Sequence, residues 1–312
     1  MIAHSAWAAG PTLASADAVQ WTPGGESSDI EDRRSEGGGG GFGFGGGGFG
    51  GMHIGIGGAI FLLILSAIFH QNLFSVFTGG GGPAAPSTRP YSDPNTGSAD
   101  RDAGDDREVQ FVSFVLDDVQ KTWEQKLPNY RHAKLVLLRD ATQSGCGTAQ
   151  TATGPFYCPE DEKVYLDMAF FDELSRRFGA PGEFAQAYVI AHELGHHVQK
   201  ILGIEQQVST LQHREPSERN PLSVKLELQA DCFAGVWGHS TEQRKLIDES
   251  DISAGLRAAA AVGDDRLQRM AGQHVSPESF THGSSEQRMY WFKRGLDGGD
   301  VNSCRTFDQQ TR

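Results

Sequence analysis

Over residues 108–127 the apolar positions fall at Phe111, Val112, Val115, Leu116, Val119 and Trp123, the spacing of one helical face, and Pro128 ends the run. Residues 133–138 form a short apolar stretch that reads as a buried strand. Residues 163–167 read as a second strand, leading into a helix that carries Phe170, Phe171, Leu174 and Phe178, with Asp167 placed to cap it. A longer apolar helical run surrounds residues 188–198. The polar stretch 206–221 is expected at the domain surface, and further helices are expected over 224–237, 252–271 and 286–296. This pattern predicts an α+β domain, mainly helical, with a small sheet built from the two strands.

The first third of the chain is patterned differently. Residues 37–51 are almost wholly glycine with interspersed phenylalanine, too poor in side chains to build a core. Residues 54–69 are uncharged and mostly apolar, and after His70, Gln71 and Asn72 the apolar character resumes through Phe77. One membrane span is expected there, although the unbroken part is short against the roughly 20 residues a bilayer requires. Its late start and the lack of an adjoining basic flank argue against a signal peptide. Residues 79–106 are rich in Gly, Pro, Ser, Asp and Arg, as in a tether. The expected organisation is a disordered Gly-rich segment over 1–53, a transmembrane anchor over 54–77, a flexible linker over 78–106 and a folded domain over 107–312.

Charge and cysteine usage narrow the setting. A net charge of -13 argues against a nucleic-acid partner and gives no attraction to anionic lipid, so contact with a membrane must be hydrophobic. Arg33 and Arg34 before the apolar run are matched by Arg89 and Arg101 after it, which leaves orientation undecided. All four cysteines, Cys146, Cys158, Cys232 and Cys304, follow the run. Their even number marks them as candidate disulfides, and a bridge between Cys146 and Cys158 would staple the Gly/Thr/Pro-rich loop they bracket. They contain no Cys-x-x-Cys pair for a second zinc site, and they favour the oxidising side of the membrane.

The chemistry centres on His192-Glu193-Leu194-Gly195-His196. At about 100° per residue, His192 and His196 lie roughly 40° apart on one helical face and can share a metal ion. Glu193 projects about 100° away, suited to act as general base on a water rather than as a ligand, while His197 falls roughly 140° away and is left out. Without a partner, a buried carboxylate and two imidazoles would be costly, and a metal removes that cost. Glu227 and Asp231 lie at i and i+4 on a later apolar helix. Glu227 is expected as the third ligand to one Zn2+, with Asp231 accepting a hydrogen bond from a ligand histidine; the reverse assignment stays open at this level. Ser284-Ser-Glu-Gln287 has the form of a capping box, which puts His282 in the loop before a helix. There it is a candidate donor to an oxyanion, and Arg288 is expected to pair with Asp231 or Glu227.

These three motifs, in this order, resemble the bacterial neutral zinc metallopeptidase family of membrane-anchored proteins. The resemblance extends to Ile30-Glu-Asp-Arg-Arg34 followed by polyglycine and an apolar run, and to Gly154-Pro-Phe-Tyr-Cys-Pro159, and so covers nearly the whole chain. It implies a zincin-type fold, one zinc ion, and hydrolysis of a peptide or protein substrate by a domain outside the cytoplasm, held by a single pass in the cell's inner membrane. The similar, larger group of zinc peptidases with a Glu-x-x-x-Asp motif favours Glu227 as ligand. That group tends to carry Thr-His-Pro before its late arginine, whereas Gly283 follows His282 here. Residues 164–166 are expected as an edge strand for an extended substrate. The alternative is a catalytically inactive, membrane-tethered scaffold with structural zinc, against which the intact Glu193 weighs.

Overall fold

The computed structural model describes residues 19–36, 98–150 and 154–308. The apolar run 54–77 expected as the anchor lies outside the described residues, and among those that are described no helix is long and apolar enough to cross a membrane.

The described chain is α+β, with helices outweighing a small sheet. After β1 (Ile30–Asp32) come α1 (Ser98–Lys126), β2 (Lys134–Leu138), the β3–β4 hairpin (Ala141–Ser144, Gly147–Gln150), β5 (Phe156–Cys158) and β6 (Lys163–Asp167). Helices α2 (Ala169–Arg176), α3 (Glu183–Ile201), α4 (Ile204–Arg214), α5 (Arg219–Gln243), α6 (Glu249–Ala261), α7 (Asp264–Met270) and α8 (Ser285–Gly298) follow. The sheet has the order β1-β2-β6-β5, with β1, β2 and β6 parallel and β5 antiparallel to β6. Strand alternation divides its side chains between two cores. Leu135, Leu137, Val164 and Leu166 join the main helical core, while Val136, Leu138 and Tyr165 meet Ala149 and Cys158 in a smaller one. The Cys146–Cys158 disulfide joins the turn of the β3–β4 hairpin to β5.

The stripe on α1 is buried as its spacing predicts, and Trp123 meets Phe233 of α5 edge-on at 5.3 Å. Where α5 and α8 cross there is no room for side chains. A Cβ on Gly295 would lie 1.9 Å from the Cys232 carbonyl oxygen, and one on Gly235 would lie 2.0 Å from that of Phe292. The Cys232–Cys304 disulfide fastens the C-terminal end of the fold to this pair.

Several expectations need correction. Residues 19–36, placed in the disordered N-terminal segment, fold onto the domain through β1 and through the buried Val19. The end of the expected linker is helical, since α1 already begins at Ser98. Residues 164–166 are not an edge: β6 lies between β2 and β5, so β5 is the outer strand on that side. The stretch 206–221, for which no element was expected, carries most of α4 and the start of α5. The helix expected over 252–271 is divided into α6 and α7 at Gly263, where a Cβ would meet the Ser285 amide at 2.4 Å. Asp167 ends β6, yet its carboxylate still accepts the Ala169 N–H at 2.9 Å, with Met168 at the helix boundary.

Two outcomes follow. Gly295→Ala must push α5 and α8 apart, and urea unfolding should show a stability loss of about 3 kcal/mol; an unchanged midpoint would mean that the two backbones do not approach this closely. A chain beginning at Arg107 lacks β1 and leaves the β2 edge uncovered, so its melting temperature should fall below that of the full chain.

Candidate metal centre

The centre forms where α5 crosses α3. Gly195 makes the approach feasible, since a Cβ there would lie 3.0 Å from the Ala230 carbonyl oxygen and 3.1 Å from its Cα. With that clearance, Glu227 reaches both histidines: its Oε2 lies 3.2 Å from His192 Nε2 and its Oε1 lies 3.5 Å from His196 Nε2. The ligand atoms of His192, His196 and Glu227 all lie within 4.8 Å of one another, a set that could hold a metal ion.

Both imidazoles are held from behind. His192 Nδ1 lies 2.9 Å from Asp231 Oδ1, and His196 Nδ1 lies 2.9 Å from Gln199 Oε1. Since both partners are acceptors, each ring keeps a proton on Nδ1, which leaves Nε2 as the atom that would face a metal ion. Asp231 is fully buried. It accepts from Tyr188 Oη at 2.5 Å and from Arg288 Nε and Nη2 at 2.8 and 2.9 Å. Although burial raises its pKa, the Arg288 and His192 charges lower it more strongly, to about 2. Gln199 is supported in turn, donating to the Leu226 carbonyl at 2.7 Å and to Gln229 Oε1 at 3.1 Å.

The remaining side chains separate cleanly. Glu193 is 8% exposed and enters none of these hydrogen bonds. His197 points elsewhere, bonded to Tyr157 Oη and the Arg131 carbonyl, and burial lowers its pKa. His282 sits in the loop before α8, whose Ser284–Gln287 capping box is formed. Its Nδ1 lies 3.0 Å from Asp264 Oδ1, while Asp264 Oδ2 accepts the N–H groups of Thr281, His282 and Gly283. Burial lowers the His282 pKa, but the bond to Asp264 and the charge of Glu227 raise it above the usual value. Gly283 has φ 92°, which a proline ring cannot adopt, so this loop cannot take the Thr-His-Pro form.

The donor set fits zinc. Two nitrogens and a carboxylate converge from three side chains, the number of protein ligands that catalytic zinc sites use while leaving a position for water. In the absence of an ion, burial lowers the His192 pKa, but the Asp231 and Glu227 carboxylates outweigh it and raise it to about 10. Burial raises the Glu227 pKa, and the neighbouring histidines, His196 foremost, outweigh that and hold it below the carboxylate range.

Comparison with known proteins agrees with this geometry. A family model described as "Putative neutral zinc metallopeptidase" matches residues 19–307. The chain is 45% identical to "Uncharacterized protein YpfJ" of Escherichia coli K12 over 296 residues, covering 93% of this chain and 99% of that protein. It is 42% identical to "Uncharacterized protein Mb2605" of Mycobacterium bovis over 200 residues, covering 61% of this chain and 67% of that one. No solved structure matches.

Zinc binding measured by chelator competition should rank the supports. Glu227→Ala removes one of three converging donors and should abolish stable binding, whereas Asp231→Asn and Gln199→Leu should each weaken it by about 10- to 100-fold through loss of imidazole orientation. If Asp231→Asn is the metal-free protein and Glu227→Ala the weakened one, the two carboxylates exchange roles.

Proposed function

The chain belongs to this neutral zinc metallopeptidase family, and from that premise we propose that it hydrolyses peptide bonds in peptide or protein substrates. His192, His196 and Glu227 hold one zinc ion, and zinc bound there supplies Lewis acidity toward a water molecule and the scissile carbonyl. The observation that carries the reading is the convergence of three donors, two of them imidazoles held from behind, together with a buried carboxylate on the same helix, Glu193, that takes no part in holding them.

Glu193 accepts a proton as the water oxygen bonds to the carbonyl carbon, and passes it to the amide nitrogen as the C–N bond breaks. His282, oriented by Asp264 through Nδ1, is the donor to the oxyanion that forms between those events. Arg288 stays behind Asp231 as a positioning residue. The two disulfides support a site of action outside the cytoplasm, where such bonds persist. The apolar run at 54–77 supports attachment to the membrane.

Glu193→Gln keeps the size of the side chain but cannot accept the proton. Zinc content should match wild type, while hydrolysis of an unfolded protein substrate should fall by on the order of 100- to 10,000-fold. Full activity in this variant would exclude Glu193 as the base.

A further inference from the structure

We propose that the chain on the two sides of the apolar run 54–77 lies on one and the same face of the membrane, so that this run does not carry the chain across the bilayer. The observation is the placement of residues 19–36. They precede the run, yet they are built into the domain that follows it.

The attachment is extensive. β1 pairs in parallel with β2, Ile30 against Leu135 and Asp32 against Leu137. The Leu135 N–H donates to the Asp29 carbonyl, and the Arg33 N–H donates to that of Leu137, both at 2.8 Å. Asp29, itself buried, is bonded to Gln120, His132 and Lys134. Glu31 pairs with Lys163 of β6 at 2.7 Å. Farther back, Trp21 donates to Glu183 at the start of α3, the Gln20 N–H donates to the Leu246 carbonyl, and Val19 reaches the main core. A segment that is hydrogen-bonded into a sheet and paired with charges on several elements cannot stand on the opposite side of a hydrocarbon layer from them.

Chain length then excludes a return crossing. A helix needs about 20 apolar residues to span a bilayer, so going out and back needs about 40. The run 54–77 has length for one passage, and residues 37–51, nearly all glycine, supply no second apolar span. Between the two anchored flanks, an even number of passages is required and one is all the sequence could furnish; the number is therefore zero. The inference stands on the sheet and does not depend on the peptidase reading.

All four native cysteines are disulfide-bonded, so a thiol introduced into the full chain is the reactive one, and the unsubstituted chain treated in parallel gives the background from any native thiol that is reduced. Glu26→Cys and Glu242→Cys place single thiols at exposed positions, one before the run and one after it. Each variant, expressed in cells and converted to spheroplasts, is treated with a membrane-impermeant maleimide before and after lysis. Equal labelling of both positions before lysis is expected. Labelling of one position before lysis and of the other only afterwards would establish a crossing between them and overturn the proposal. If both react only after lysis, the two flanks still share a side, and it is the extracytoplasmic placement that falls.

Discussion

A fully buried carboxylate imposes the tightest constraint on this molecule. Asp231 has no access to water, and an unpaired charge in such a position would cost several kcal/mol. Its partners come from two other helices, Tyr188 and His192 from α3 and Arg288 from α8, so that with α5, which carries Asp231, three helices meet at one group. Arg288 is buried as well and spends a further N–H on the Val262 carbonyl. Because every partner must be in place at once, the relative positions of the three helices are narrowly set. The metal-binding atoms of α3 and α5 inherit that placement.

Much of the centre was legible because its members share local periodicity. The i,i+4 spacing of His192 and His196 and the angular offset of Glu193 follow from helical geometry alone, as does the exclusion of His197. Asp231 was readable because it interrupts an apolar helix, and Arg288 as a partner for one of the two carboxylates on that helix, with Asp231 and Glu227 both open. The same signal marks Gln199, a polar residue three positions after His196 in a buried helix, and it was overlooked. Asp264 was not readable, since its task is to gather three successive N–H groups of a loop far along the chain. Nothing local to Asp264 announces those partners.

Residues 19–36 show where pattern reading fails in principle. Their apolar content is slight, and β1 is only three residues long. Two charges beside and within it that look like a solvated surface in the sequence, Asp29 and Glu31, find Lys134 and Lys163 only once the sheet exists. A parallel pairing between strands separated by a glycine tract and an apolar run leaves no short-range trace. The misplaced edge strand has the same origin. Residues 163–167 read correctly as a strand, but which strands flank it is decided by partners that periodicity does not name.

The two imidazoles of the centre are supported by different chemistry. His192 leans on an ionised carboxylate that is itself held by a guanidinium, so its ring is made more basic as well as oriented. His196 leans on a neutral amide. From Gln199 the chain continues to Gln229, whose Nε2 donates to the carbonyl of Cys304 at 2.9 Å, and Cys304 is fixed to α5 by its disulfide with Cys232. Orientation of His196 is thus traceable to a covalent bond at the far end of the fold, through groups that carry no net charge. A second carboxylate behind His196 would have added another buried negative charge beside Asp231 and Glu227, with no second arginine to balance it. The amide chain locks the same tautomer without that charge.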